Sequence, residues 1–109
     1  KNVAEVHLQG RFFGREGEIH ESVAGKDSAL ATLKAAIDKE FPGHNIHSYT
    51  SESVGTGISA LSRSTIVVID EEQQLFEGSG DDQDIEISAM KALIDAVNRA
   101  YVDKNFRRR

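Results

Sequence analysis

The side chains best suited to chemistry in this chain are four histidines, His7, His20, His44 and His47, and a set of aspartates around two glycine-containing turns. A hydrolase or transferase needs a nucleophile beside a base, or paired carboxylates in a pocket, and the histidines are the only candidate bases. His44 and His47 stand three apart across a turn, with no further histidine or carboxylate pair to complete a metal set, so they read as solvated turn residues. Asp81-Asp82-Gln83-Asp84 opens like a calcium loop. However, Glu86 stands where that loop needs glycine, and Ala92 where it needs a bidentate glutamate. Gly14-Arg15-Glu16-Gly17 lacks the third glycine and the strand-to-helix context of a dinucleotide loop. The chain has no cysteine, which removes thiolate catalysis, disulfides and cysteine-based metal centres. No catalytic constellation emerges from these residues.

Binding is a different matter. Gly25-Lys26-Asp27-Ser28 and Gly80-Asp81-Asp82-Gln83-Asp84 are matched acid-bearing turns, each just ahead of a helical pattern. Capping accounts for both, because an Asp or Ser at the N-cap accepts a free backbone N–H and contributes ~1 kcal/mol. The same geometry suits a free amino acid. Its carboxylate would take N–H donors at a helix start, and its ammonium would take a carboxylate such as Asp27 or Asp84. Both readings stand on the residues alone.

The elements that must position these turns follow from periodicity. Residues 3–8 alternate as a strand, and residues 11–23 form a second extended region. Leu30, Leu33, Ile37 and Phe41 then recur at helical spacing over residues 27–41, and Pro42-Gly43 ends that helix. Residues 46–54 are extended, Gly55-Thr56-Gly57 breaks them, and Ile66-Val67-Val68-Ile69 marks a central strand within 64–70. Glu71-Glu72-Gln73 connects to a short strand over 74–79. From Asp84 the helical period resumes, with Ile87, Met90, Leu93, Ile94, Val97 and Tyr101 on one face. Residues 103–109, ending in Arg107-Arg108-Arg109, read as a flexible tail.

With 109 residues, 39% hydrophobic and 28% charged, the chain has the composition of one globular domain, placed here at residues 1–102. Thirteen basic against eighteen acidic side chains give a net charge of −5, which supplies no electrostatic drive toward nucleic acid. No apolar run approaches the ~20 residues of a membrane span. A soluble, cytoplasmic domain without nucleic-acid or membrane partners is expected.

The two helical stretches resemble each other. Asp27, Lys34, Ala35, Ile37 and Asp38 recur as Asp84, Lys91, Ala92, Ile94 and Asp95, and Leu33 corresponds to Met90. Read as a duplication, this predicts an α+β fold. Two βββα-like units would be related by a pseudo-twofold axis, with helices packed on a mostly antiparallel sheet.

The closing stretch, Phe76-Glu77-Gly78-Ser79-Gly80 followed by Gln83-Asp84-Ile85-Glu86-Ile87-Ser88-Ala89-Met90-Lys91-Ala92 and, further on, Asn98-Arg99, resembles the last motif of a known family. That family is the C-terminal regulatory domains of the 2-isopropylmalate synthase and citramalate synthase enzymes. Its motif runs G-x-G, then T-D-I-x-x-S-S-x-K-A, then Asn-Arg or Asn-Asn. Tyr49 to Ala60, a tyrosine strand followed by a glycine-rich turn, resembles the middle motif, and the likeness extends from Val3 to Val102. Two departures stand out. Ala24-Gly25-Lys26-Asp27 replaces the usual Gly-Asn-Gly-Pro, and Ile58-Ser59 stands where Thr-Asp is common. The strand that opens the family's first unit has no counterpart.

The resemblance implies a domain that senses an end-product amino acid and dimerises. The parent chain's catalytic TIM-barrel domain would condense acetyl-CoA with a 2-oxo acid using a divalent metal. The fragment itself would carry no cofactor and catalyse nothing. Carried over residue by residue, the effector pocket would be lined by Gly25, Asp27 and Ser28 at the first helix start, with Leu30 as an apolar wall. Tyr49 and Ser53 would come from the middle strand, Ser59 and Ala60 from the turn after it, and Gln83, Asp84 and Ile85 from the second helix start. For Tyr49 a half-buried strand tyrosine is the plain alternative, and Ser88, Lys91 and Asn98 read as packing and capping positions.

The resemblance implies leucine as the effector, in feedback inhibition, with isoleucine in a citramalate synthase setting as the alternative. Two further readings stay open. One is a dimerisation module that has lost its pocket with the Gly-Asn-Gly-Pro stretch. The other is an α/β domain binding duplex RNA, against which the net charge weighs.

Overall fold

The structure is a computed structural model that describes residues 3–12, 15–24, 29–55 and 57–107. Two strands, β1 (Val3–Phe12) and β2 (Arg15–Ala24), form an antiparallel hairpin in unbroken register from Val3↔Ala24 to Phe12↔Arg15. This two-stranded sheet packs against helix α1 (Ala29–Glu40). Three further strands, β3 (Asn45–Val54), β4 (Leu61–Ile69) and β5 (Leu75–Asp82), form an antiparallel sheet in the order β3-β4-β5. A 3₁₀ turn over Gly57–Ser59 lies between β3 and β4. Helix α2 (Ile85–Arg107) packs against β4 and β5. The class is α+β, with helices on antiparallel sheets, as the sequence predicts. Two strands precede α1 and three precede α2.

Period two on β4 sorts the core. Ser64, Ile66 and Val68 are buried, whereas Thr65, Val67 and Ile69 are only partly covered. Ile66 and Val68 join Leu33, Ile37, Phe41, Met90, Leu93, Ala96 and Val97 in one cluster, so both helices and the sheet share a core. Burying each such Val, Leu or Ile stabilises by ~1.5–3 kcal/mol.

Helix α2 approaches the sheet through small residues. Ser88, Ala92 and Ala96, four apart on one stripe, are all fully buried. Opposite them stand Gly78 and Gly80 of β5. A Cβ built on Gly78 would run into the backbone of Ala92 and Ala96, and one on Gly80 into Lys91 and the backbone of Ser88 and Ala92. The G-x-G of the closing motif therefore permits backbone contact between strand and helix.

This packing revises several expectations. Gly80, Asp81 and Asp82 belong to β5 rather than to a turn. Ile87 is 38% exposed rather than on the inward face, because the inward stripe is set by the small residues at 88, 92 and 96. Helix α2 continues through Arg107, into the segment read as a tail. There Asp103 is partly covered, and the Lys104 ammonium lies 5.7 Å from the Phe41 ring centroid. His44 is not solvated: it is 6% exposed and stacks on Phe41 at 4.3 Å between ring centroids. The turn after α1 folds the imidazole back under Phe41, which also meets Tyr101 edge-on at 5.6 Å.

Candidate functional site at the helix starts

Strand register brings most of the sequence-predicted site residues to one end of the molecule. Ser53 pairs with Ser62, and Ser62 with Asp82, the last residue of β5 before α2 begins. Tyr49 lies four residues back along β3, opposite Ile66, on the face that α2 covers. Ser59 closes the 3₁₀ turn at the tip of the β3–β4 connection, and the Ala60 N–H donates to the Gly57 carbonyl at 3.2 Å. Gln83, Asp84 and Ile85 lead into α2 from the same end, all exposed, Ile85 by 51%. Leu30, on the first turn of α1, is partly buried and packs against the core rather than standing free as a pocket wall. Gly25, Asp27 and Ser28 lie outside the described residues.

Asp84 is the N-cap of α2. Its Oδ1 accepts from the N–H groups of Glu86 at 2.8 Å and Ile87 at 3.3 Å, and its carbonyl accepts the first helical bond, from Ser88 N at 3.0 Å. Asp82 supports the cap in turn. One of its carboxylate oxygens accepts from the Asp84 N–H at 2.8 Å, and the other from Lys91 Nζ at 3.2 Å. The backbone hydrogen bond from Asp84, and then Lys91, hold the Asp82 carboxyl below its ordinary value. Asp81 is held low by the two-pronged hydrogen bond from the Arg63 guanidinium, at 2.8 and 2.9 Å. Both aspartates are therefore anionic at neutral pH.

The two helix starts meet. The Ala29 N–H at the head of α1 donates to Glu86 Oε2 on the first turn of α2, at 3.3 Å. Glu86 thus places a carboxylate where the α1 dipole favours a negative charge. The sequence reading missed this role, because an acid in the first turn of α2 signals only its own helix, and its reach to α1 depends on packing.

A run of hydroxyls links the exposed strand to the buried helix stripe. Ser88 Oγ donates to the Ile85 carbonyl at 2.8 Å and lies 2.6 Å from Ser64 Oγ, itself 3.0 Å from Ser51 Oγ. Ser51 Oγ also lies 3.3 Å from the Tyr49 hydroxyl. Because the single Ser88 proton goes to Ile85, Ser64 must be the donor toward Ser88. Ser64 and Ser88 are fully buried, while Tyr49, on β3, is 44% exposed. Ser51 and Ser64 escaped the sequence reading because their pairing depends on the β3–β4 register.

The arrangement offers backbone donors, fixed carboxylates, hydroxyls and two exposed apolar side chains, Tyr49 and Ile85, around two helix starts. Such a set can hold a small zwitterion. Among the described residues no three His, Asp or Glu side chains are placed to hold a metal ion. No described helix is long and apolar enough to cross a membrane.

Fold and site together define a helix-on-sheet α+β domain whose two helix starts converge. The chain belongs to the LeuA allosteric (dimerisation) domain family, whose model matches residues 2–101. It is 32% identical over 98 residues to a 2-isopropylmalate synthase of Olsenella uli, covering 89% of this chain. It is 30% identical over 88 residues to a probable 2-isopropylmalate synthase of Methanopyrus kandleri, covering 77% of this chain. The chain spans 18% of the length of each of these relatives.

Proposed function

We propose that this chain is the amino-acid-sensing regulatory domain of a 2-isopropylmalate synthase, that it works as a homodimer, and that leucine is its effector. The observation that carries the reading is the convergence of both helix starts and the middle-motif strand at one end of the fold, in a chain similar to two 2-isopropylmalate synthases. The effector carboxylate binds at the α1 start, displacing Glu86 from the Ala29 N–H, and Ile85 and Tyr49 flank the aliphatic side chain. The ammonium is received by acceptors on the Asp84 side. The divalent metal and acetyl-CoA of the reaction belong to a catalytic TIM-barrel domain outside this chain, and the domain itself senses rather than catalyses.

The regulation is allosteric. The effector shifts the parent enzyme toward a less active state only to the extent that it binds that state more tightly. Burial of a leucine side chain contributes ~1.5–3 kcal/mol, the size of a typical coupling energy.

Calorimetric titration of the chain with leucine, with isoleucine and valine as controls, tests the reading. Asp84→Asn is the informative variant, because Asn keeps the helix cap while removing the charge. Saturable leucine binding, weakened in Asp84→Asn and Tyr49→Phe, is expected. Preference for isoleucine would move the assignment to a citramalate synthase. A folded dimer that binds none of the three amino acids would leave a dimerisation module and refute the sensor.

A further inference from the structure

The three-stranded sheet has two edges, and they are not alike. Along β5 the edge is closed. Asp95 Oδ2 accepts the Ser79 N–H at 3.0 Å, and Lys91 Nζ donates to the Asp81 carbonyl at 3.2 Å. Both side chains come from α2, so the helix takes up backbone groups that a further strand would use. At the other edge β3 pairs with β4 alone. This strand is ten residues long, contains no proline or lysine to blunt the edge, and carries Glu52 as its one acid.

Alternation tells which backbone groups of β3 face outward. In an antiparallel ladder each residue points its N–H and C=O to the same side, and successive residues point to opposite sides. Ser79 and Asp81 point away from β4, so Gly78 and Gly80 bond to it, through Ile66 and Ser64. Ile66 and Ser64 therefore face β5, whereas Thr65 and Arg63 face β3 and bond to Thr50 and Glu52. Tyr49, Ser51 and Ser53 are left with their N–H and C=O groups at the open edge. Their side chains stand on the α2 side of the sheet. Helix α2, however, packs on β4 and β5, so β3 overhangs it and Tyr49 is 44% exposed.

We propose that β3 is the interface between two copies of this chain, the strands pairing antiparallel about a twofold axis at Ser51 into one continuous sheet. The proposal rests on the homodimer reading and adds the surface to it. A second copy is the occupant because the family is described as a dimerisation domain, and because the strand is complementary to itself. The register shift between Ile46 and Ser48 ends the regular part of β3 on one side, and Val54 ends it on the other, which leaves Ser51 at the centre. About that centre Ser51 meets its own copy and Tyr49 meets the partner's Ser53, so the outward N–H and C=O groups satisfy one another. Thr50 stands opposite the partner's Glu52, which keeps the two Glu52 carboxylates from facing directly. The Tyr49 ring lies diagonal to the partner's Ser51, within reach of an aromatic side chain.

The chain has no cysteine, so one substitution reports the geometry. Cα atoms opposite each other in a hydrogen-bonded antiparallel pair lie ~5.5 Å apart, inside the range that a disulfide spans. Ser51→Cys should oxidise to a covalent dimer, and Ser79→Cys, on the closed edge, should not. Sedimentation of two further variants gives a second readout. Ser51→Pro removes an N–H that the ladder with β4 does not use, at the axis and so from both copies. Its dimer dissociation constant should rise about tenfold or more. Ser51→Ala loses the same hydroxyl contact with Ser64 and should dimerise as the parent does. Amide exchange at Tyr49, Ser51 and Ser53 should slow on dimerisation. A chain that stays monomeric at millimolar concentration overturns this interface together with the homodimer reading. A dimer whose amides at these positions exchange fast, that gives no Ser51→Cys crosslink, or that is as stable with Ser51→Pro as with Ser51→Ala overturns the interface alone.

Discussion

Replacing Gly78 by alanine tests the central packing argument with a single methyl group. The new Cβ would sit well inside van der Waals distance of the Ala96 N and Ala92 O atoms, which belong to the α2 backbone and cannot rotate away. Optimal carbon contacts lie near ~3.5–4.0 Å, so the helix must retreat from the strand by about 1 Å or more. That retreat loosens Ala92, Leu93, Ala96 and Val97 against Ile66 and Val68, all of them buried. Overpacking of this kind costs about 1–3 kcal/mol. A backbone-to-backbone clash belongs at the upper end, about 3 kcal/mol.

At about 4–8 °C per kcal/mol for a domain of this size, the midpoint of thermal unfolding should drop by ~12 °C or more. Alanine's smaller loss of conformational entropy offsets ~0.4–1 kcal/mol of this, which leaves a net drop of ~8 °C or more. Ser79→Ala is the control, since Ser79 is exposed and its midpoint should stay within about 0.5 kcal/mol of the parent. Calorimetric melting of the three proteins side by side decides the matter. If Gly78→Ala melts at or above the parent temperature, α2 does not rest on β5 backbone-to-backbone, and the account of the G-x-G motif is wrong.

Ser64→Ala and Ser88→Ala should each cost ~1–3 kcal/mol, while the double variant should cost clearly less than their sum, because both lose the same 2.6 Å contact. Additive costs in denaturant unfolding would show that the hydroxyls are not coupled. Asp84→Ala should lose ~1 kcal/mol by removing the α2 cap while Asp84→Asn loses much less, as read from unfolding midpoints. Stability should be greatest above pH 6.5 and fall as the pH drops below it. The unfolded His44 takes up a proton near 6.5, whereas the buried ring, with its pKa lowered, resists. Denaturant midpoints at pH 8, 6 and 5 should show this slope, and His44→Phe should flatten it; an unchanged slope in that variant would refute the assignment. Asp81 and Asp82, held below 3.8, contribute their losses only in the more acidic range below that value.

Much of this protein was legible in the sequence because it is local. The periodicities placed both helices and all five strands within a few residues, and Pro42-Gly43 and the Glu71-Glu72-Gln73 connection fall at observed element ends. The β-branched run at Ile66 to Ile69 is the central strand, as its composition implied. Asp84 is the helix cap that its position before an apolar period announced. The closing motif carried the family, which the match over residues 2–101 bears out.

What tertiary structure alone decided is non-local. Two glycines in a strand do not announce which backbone lies over them, so the closeness of α2 at Gly78 and Gly80 came only with the packed helix. Spacing set His44 beside His47 in a turn, but the Phe41 face that buries it is supplied by the way the chain folds back after α1. Ser51, Ser64 and Ser88 are far apart in sequence and meet because strand register and helix docking coincide. The two helix starts, 57 residues apart, share one carboxylate only because both helices pack on a common core. Sequence determines which residues can form each element. Which side chains then face each other is settled when the elements bury their apolar faces together.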